Sequence, residues 1–250
     1  MVGRRSFLGV IGFKQIISLW QSWQRLFDDL IFPIHCIKCN KEGDWLCVEC
    51  RRTVPIVPLQ ACPFCKMPTA YGITCEVDRK SHSLDGATVR GVYQDWVWQD
   101  IVKGWKFDGV VDLGKYATEM LCEALPHLPH GLYNPIVVSV PLTKRRQRWR
   151  GFNQAYTLAS AVAGVIEGEI IDGVLRIRDT RPQPGLGKTQ RRQNVHGAFE
   201  VVGDVRDRDC IIVDDLLTTG ATMDEIARVL KQAGAKKVWG VTLVRGALVP

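Results

Sequence analysis

A short apolar strand, followed by two acids, a small-residue loop and a helix, is the feature that most constrains the fold of this chain. Residues 210–213 have the sequence Cys-Ile-Ile-Val, and such a β-branched run without polar alternation is typical of a buried parallel strand. Asp214 and Asp215 follow directly, and apolar positions at helical spacing then predict a helix over Met223–Ala233. A buried parallel strand is covered by helices, so the segment indicates an α/β fold.

The acids and the loop behind them have a shared chemical use. Adjacent carboxylates accept hydrogen bonds from a vicinal diol such as a ribose, and a small-residue loop at a helix N-terminus binds an anion through its N–H groups. The alternative is an acidic strand end that merely caps the next helix, with Thr218 or Thr219 at the N-cap. Two acids, three threonines and a glycine are more than a helix cap requires, so the segment predicts a ribose 5-phosphate site. Its loop consists of Thr218, Thr219, Gly220, Ala221 and Thr222.

Strands and helices alternate through the rest of the chain, which predicts a mainly parallel sheet covered by helices. Ligands in such sheets bind at the carboxyl ends of the strands, so Asp214, Asp215 and the loop after Pro141 should face one crevice. The predicted strands are Gly86–Tyr93, Ile136–Val140, Val174–Ile177, Phe199–Val202, Cys210–Val213 and Lys237–Val244. The predicted helices are Ile101–Lys106, Asp112–Ala124, Asn153–Ile166 and Met223–Ala233.

Most of the nine cysteines have the spacing of zinc knuckles. Two Cys-x-x-Cys knuckles supply four thiolates to one tetrahedral ion, and such a closed site is structural. A disulfide framework is the alternative, but the register is that of zinc knuckles and no secretory context is evident. Cys122 and Cys210 stand alone in apolar segments and are expected in the core. The knuckle cysteines are Cys36, Cys39, Cys47, Cys50, Cys62, Cys65 and Cys75.

Taken in chain order, these cysteines form two ligand sets. The first is complete with Cys36, Cys39, Cys47 and Cys50. The second lacks a fourth cysteine, for which Asp78 has the expected position and His82 is the other candidate nearby. A Cys₃Asp set is uncommon for structural zinc, which leaves weak or absent binding as an alternative. A crossed arrangement, in which the first and third knuckles share an ion, is also sterically conceivable.

Cationic residues outnumber acidic ones, 33 to 26, and the formal net charge of +7 favours polyanionic ligands. Residues 144–150 hold five cations and residues 188–192 hold three. The second run lies within the polar loop 178–194, which is longer than a simple connection between two elements usually is. Both runs lie beside predicted ligand segments, so we expect them to meet phosphate.

The first 35 residues form a separate segment. A helical apolar stripe predicts packing against another part of the chain, with a membrane-surface helix as the alternative. Gly3–Leu8 resembles a twin-arginine export signal, but the apolar run that follows is short and lacks a cleavage site. We therefore expect a cytoplasmic protein without a membrane span. The expected organisation is a helical segment at 1–35, a zinc-ribbon module at 36–82 and a ligand-binding domain at 83–250. The stripe consists of Ile16, Trp20, Trp23, Phe27 and Leu30.

Three segments and the cysteine-rich head together resemble the ComF competence-protein family. Its members carry an RGFNQA segment, a Q…RR.NV.GAF segment and an acid-acid loop in this order, found here at 150–155, 190–199 and 214–222. The acid-acid loop is in itself similar to the signature of type I phosphoribosyltransferases, which bind 5-phosphoribosyl 1-diphosphate (PRPP). The resemblance covers the chain from about residue 33 onward. The second metal set departs from the family pattern, because Asp78 stands where a cysteine is usual.

The resemblance implies a type I phosphoribosyltransferase fold with an N-terminal double zinc ribbon. It implies PRPP as ligand together with Mg²⁺, and it makes Asp214 and Asp215 the catalytic candidates, which contact the ribose hydroxyls. The loop 218–222 would hold the 5′-phosphate, and the long loop would act as a flap. The cations expected at the diphosphate are Lys144, Arg145, Arg148 and Arg150 after the strand, and Lys188, Arg191 and Arg192 on the flap.

No segment identifies an acceptor, which leaves two functions open. The first is transfer of phosphoribose to a nitrogenous acceptor. The second is a non-catalytic accessory role in single-stranded DNA binding or recombination, with PRPP as an effector or not used at all. Family members are associated with natural transformation, so DNA-uptake or recombination proteins are the implied partners. The cations around Trp149 support the second function.

Overall fold

The computed structural model describes residues 33–57, 59–106, 110, 112–132, 134–178, 180 and 188–246. The predicted N-terminal stripe and residues 179 and 181–187 of the predicted flap lie outside these residues. The chain divides into two compact units, Met1–Thr53 and Val54–Pro250. The second cysteine set therefore belongs to the larger unit. The division of the chain at residues 35 and 82 stays a prediction.

Seven strands are described in the larger unit. They are β1 (Gly86–Val92), β2 (Ile136–Ser139), β3 (Glu169–Ile170), β4 (Val174–Arg176), β5 (Phe199–Val201), β6 (Cys210–Leu217) and β7 (Val238–Arg245). Five of them form a parallel sheet in the order β1-β7-β6-β2-β3, and β4 pairs with β5 in a separate antiparallel ribbon. The predicted α/β fold with a mainly parallel sheet is confirmed.

Eight α-helices are described. They are α1 (Val48–Arg52), α2 (Glu76–Arg79), α3 (Trp96–Lys106), α4 (Leu113–Cys122), α5 (Lys144–Arg150), α6 (Gln154–Ile166), α7 (Lys188–Val195) and α8 (Ala221–Gln232). Short 3₁₀ turns lie at Ala70–Gly72 and Leu125–His127. Among the described residues, no helix combines the length and the apolar character that crossing a membrane requires.

The central strands are buried on both faces. Ile136, Val138 and Ile212 share one apolar cluster with Ile226 and Leu230 of α8. Alternate strand residues point to the opposite face of the sheet, where α6 packs against β2 and β6. Burial on both faces explains the uninterrupted apolar run at 210–213. It also brings the carboxyl ends of β2 and β6, which are paired in parallel, to one edge of the sheet.

Two segments expected as loops contain helices. Residues 144–150 form α5 because Thr143 caps its start, accepting a hydrogen bond from the N–H of Arg146, and Gly151 ends it at a φ of +78°. Residues 188–195 of the predicted long loop form α7. Neither helix carries an apolar stripe, so hydrophobic periodicity could not reveal it.

The strand that carries the two acids is longer than predicted. β6 continues to Leu217. Asp214 and Asp215 therefore lie within the strand, in the part that still pairs with β7. The following helix begins at Ala221, two residues before the predicted start. The loop between strand and helix is therefore only three residues long, 218–220, and the rest of the predicted loop forms the first turn of α8.

Candidate functional site

A cavity of about 170 Å³ opens at the carboxyl ends of β2 and β6. Asp214 and Asp215 lie at its wall together with the loop after β2, as the strand topology predicts. The polar and charged residues at its wall are Lys106, Thr143, Arg146, Arg150, Asn153, Gln154, Arg176, Thr180, Asp214, Asp215, Thr218 and Thr222. Carboxylates and cations thus meet in one concave site.

The two carboxylates differ in their surroundings. Asp215 is 8% exposed, and its Oδ2 lies 2.6 Å from Nζ of Lys106, the last residue of α3. Oδ1 of Asp214 accepts a hydrogen bond from the N–H of Asp215 at 2.8 Å. Burial raises the pKa of Asp214 to about 7; the neighbouring Asp215 adds to this rise, and Lys106 opposes it. Lys106 therefore supplies positive charge to a crowded carboxylate pair.

The RGFNQA segment shapes the opposite wall. Asn153 caps α6 by accepting from the N–H of Ala155 at 3.1 Å, and its amide donates to the carbonyl of Val140 at the end of β2. Arg150 donates to Oε1 of Gln154 at 3.1 Å. Gly151, with its positive φ, provides the reversal between α5 and α6. The contact of Asn153 with Val140 holds the segment against the carboxyl end of β2.

Gln154 has a buried donor at the cavity wall. Its side chain is fully buried and lies at the cavity wall, and its Nε2 has no hydrogen-bond partner within the part of the chain that the structure describes. A buried amide without a partner is costly unless a ligand or water satisfies it. The cavity therefore fits a ligand with acceptor oxygens close to Arg150.

The segment 218–222, which is predicted to bind phosphate and is called the phosphate loop below, has the geometry of an anion site. Gly220 has a φ of +77° and is the N-cap of α8. The first N–H groups of this twelve-residue helix therefore face the end of β6, where its dipole favours negative charge. All loop residues except Thr219 lie at the cavity wall; Thr219 borders a second cavity beside Cys65 and Asp78.

The predicted cations are only partly brought together. Arg150 lies at the cavity wall, whereas the exposed Lys144, Arg145 and Arg148 lie elsewhere on α5. Arg192 donates to the carbonyl of Ser81 and borders the second cavity. Arg191, on the same helix, is not part of the cavity wall as described, and the side chain of Lys188 lies outside the described residues.

Three cations of the cavity were not predicted. Arg146 lies one helical turn before Arg150 and shares its face. Arg176, at the end of β4, stacks over the ring of Phe199 at 5.4 Å and adds to the positive potential on Asp214. Lys106 comes from a distant helix. No local motif marks Lys106 or Arg176, because their positions depend on tertiary packing.

The structure contains two candidate metal centres. The first cluster consists of Cys36, Cys39, Cys47 and Cys50, whose sulfur atoms all lie within 4.8 Å of one another. Burial raises the pKa of the Cys50 thiol to about 12, and the nearby thiols add to the rise. Four converging sulfurs form the usual tetrahedral zinc set, so this cluster could bind zinc.

The second cluster consists of Cys62, Cys65, Cys75 and Asp78, again within 4.8 Å of one another. Oδ2 of Asp78 accepts from the thiols of Cys62 and Cys75 at 3.2 Å each. Asp78 thus takes the fourth position, while His82 lies beside Asp224 instead. The grouping follows chain order, as expected for the simpler of the two arrangements, and this cluster could also bind zinc.

Comparison with known proteins agrees with this architecture. The phosphoribosyl transferase domain family matches residues 152–247. Competence protein F of Haemophilus influenzae is 27% identical over 84% of this chain and 97% of its own length. Competence protein ComFC of Streptococcus pneumoniae is 30% identical over 82% of this chain and 90% of its own. The DNA utilization protein YhgH of Escherichia coli K12 is 39% identical over 41% of this chain and 45% of its own. From these similarities and the predicted motifs, the chain belongs to the ComF family of competence proteins.

Proposed function

We propose that the cavity binds PRPP and that the protein transfers its phosphoribosyl group to a nitrogenous acceptor. The observation that carries this proposal is the pairing of Asp214 and Asp215 with the phosphate loop in one cavity. Two carboxylates match the ribose diol, and the N-terminus of α8 matches the 5′-phosphate. Arg146 and Arg150 match the diphosphate, together with Nε2 of Gln154, which has no hydrogen-bond partner among the described residues.

The residues account for the chemistry such a transfer needs. As the C1–O bond breaks, the pyrophosphate leaves with the electron pair, and positive charge develops on the ribose ring. Asp214 and Asp215 stabilise that charge, while Arg146 and Arg150 stabilise the leaving group. The acceptor nitrogen forms the new bond to C1 and releases its proton to water. Mg²⁺ bound to the diphosphate would add positive charge to the leaving group.

Calorimetric titration of PRPP with Mg²⁺ into the wild-type protein tests this function. We expect saturable binding, and pyrophosphate release when an acceptor is screened successfully. Ribose 5-phosphate should bind more weakly, because it lacks the diphosphate that the arginines hold. Absence of PRPP binding to folded protein with two zinc equivalents would contradict the proposal.

A second candidate function, binding of single-stranded DNA, is favoured by the exposed face of α5. Trp149 is 65% exposed there, beside Lys144, Arg145 and Arg148. An exposed aromatic ring among cations is suited to base stacking and phosphate contact. The relative named a DNA utilization protein also supports this candidate. The two functions use different faces of α5 and are compatible.

The salt dependence of oligonucleotide binding tests this candidate. A plot of the logarithm of the binding constant against the logarithm of the salt concentration has a negative slope. We expect the magnitude of this slope to decrease by about 1.4 when Arg145→Gln and Arg148→Gln remove two phosphate contacts. The control variant, Arg206→Gln with Lys236→Gln, removes two exposed cations elsewhere and should leave the slope unchanged. Equal slopes in all three proteins would remove α5 from any DNA contact.

The metal and compartment proposals complete this function. We propose structural zinc at both clusters, because each offers four converging ligands and no open position for a reactant. A cytoplasmic location fits a protein that uses PRPP, which is made inside cells.

A further inference from the structure

The second cluster contacts the phosphate loop through the side chain between its first two ligands. Phe64 lies between Cys62 and Cys65 and is 9% exposed. A Cβ atom placed on Gly220 would lie 2.9 Å from Cε1 of Phe64 and 3.7 Å from the carbonyl oxygen of Pro63. The knuckle therefore packs directly on the glycine that joins the loop to α8.

A second connection runs through His82. Its ring stacks on that of Phe64, with centroids 3.5 Å apart and planes 10° from parallel. Its Nδ1 lies 2.7 Å from Oδ2 of Asp224, in the first turn of α8. The other oxygen of Asp224 accepts from the N–H groups of Ser83 and Leu84, at 2.7 and 3.1 Å. The start of α8 is thus fixed to the segment that follows the cluster.

A metal ion at the second cluster would fix the chain beside both Phe64 and His82. Cys62 and Cys65 flank Phe64, and Asp78 lies four residues before His82. The four ligand atoms lie within 4.8 Å of one another, close enough to share one ion. Coordination would join them with bonds that fix the backbone on both sides of Phe64.

We propose that a metal ion at the second cluster positions the phosphate loop through Phe64 and His82, and thereby sets the affinity of that loop for a sugar phosphate. The inference rests on the function proposed above, since it concerns the same site. Phe64 and His82 are positioning residues: they contact Gly220 and Asp224 and are not among the described residues at the wall of the first cavity. The first cluster belongs to the other unit.

Titration of ribose 5-phosphate into the full-length protein, with zinc measured in each sample, tests this coupling. Cys65→Ser should lose one of two zinc equivalents and bind ribose 5-phosphate about tenfold more weakly, a change of about 1.4 kcal/mol. Cys39→Ser removes a ligand of the first cluster and is the comparator for metal loss in general. We expect it to lose the other zinc equivalent and to keep its affinity within about twofold.

Variants that retain the metal provide the second arm. Phe64→Ala and His82→Ala should keep both zinc equivalents and still weaken binding of ribose 5-phosphate. His82→Asn should restore part of it, because the asparagine amide can donate to Asp224 as Nδ1 does but has no ring to stack on Phe64. Met67→Ala removes a 65% exposed side chain two residues from Cys65 and should have no effect. If Cys65→Ser fails to fold, these variants decide the question.

The outcomes separate the two proposals. Wild-type protein that binds neither ribose 5-phosphate nor PRPP contradicts the proposed function, and with it the coupling. Wild-type binding that persists unchanged in a folded, zinc-depleted Cys65→Ser protein overturns the coupling alone. Unchanged binding in both Phe64→Ala and His82→Ala does the same. Equal weakening by Cys39→Ser and Cys65→Ser would also overturn it, since the effect would then not be specific to the second cluster.

Discussion

The Asp214→Asn, Asp215→Asn double variant is expected to bind PRPP with Mg²⁺ at least about 100-fold more weakly than the wild type. Each carboxylate is placed to accept hydrogen bonds from the ribose hydroxyls, and a hydrogen bond to a charged group contributes about 1.5–3 kcal/mol. The loss of two such acceptors accounts for a change of this size. Calorimetric titration of both proteins at the same salt concentration measures it.

The control and the zinc content decide how that loss is interpreted. Asp100→Asn with Asp207→Asn removes two exposed carboxylates, and asparagine tolerates the positive φ of 59° at position 207. This variant should bind as the wild type does. The site variant should keep two zinc equivalents and a cooperative unfolding transition. Loss of zinc together with ligand binding would make the change structural, and unchanged binding would refute the assignment of the ribose site.

The acid-acid loop could be predicted because its chemistry lies in consecutive residues. The cations on α5 could not be assigned correctly, because the segment was expected to be a loop. In a loop no periodicity distinguishes the cations that face a ligand from those that face solvent. In a helix Arg146 and Arg150 lie four residues apart on one face, whereas Arg145 and Arg148 point elsewhere. The caps at Thr143 and Gly151 were the available signal for this helix.

The second cluster shows a similar limit. Spacing alone left Asp78 and His82 as alternative ligands, because both lie within reach along the chain. In the structure Asp78 lies in the cluster, whereas His82 contacts Asp224, which is 142 residues away in sequence. Lys106 could not be predicted for the same reason: it is the last cation of an amphipathic helix, and only the packing of α3 places it beside Asp215.

Replacement of Lys106 by methionine is expected to lower the free energy of unfolding by about 3 kcal/mol at about pH 8. The Lys106 and Asp215 side chains are each only 11% exposed. Removal of the cation leaves a largely buried carboxylate without its partner and next to Asp214. Lys106→Arg should retain most of the stability, because it keeps the charge. Lys103→Met, on the exposed face of the same helix, is the matched control and should change the free energy little.

The pH dependence distinguishes this electrostatic loss from a loss of packing. The pKa of Asp214 is about 7 in the folded protein against an ordinary value of 3.8. The folded state therefore binds this proton more tightly, and the free energy of unfolding falls as the pH rises from about 4 to about 7. Without Lys106, which lowers this pKa, the fall continues to higher pH. The cost of Lys106→Met should thus shrink at about pH 5.5, where the carboxylate pair can hold a proton. Urea unfolding at both pH values measures it, and an equal loss at each pH would show that Lys106 acts through packing alone.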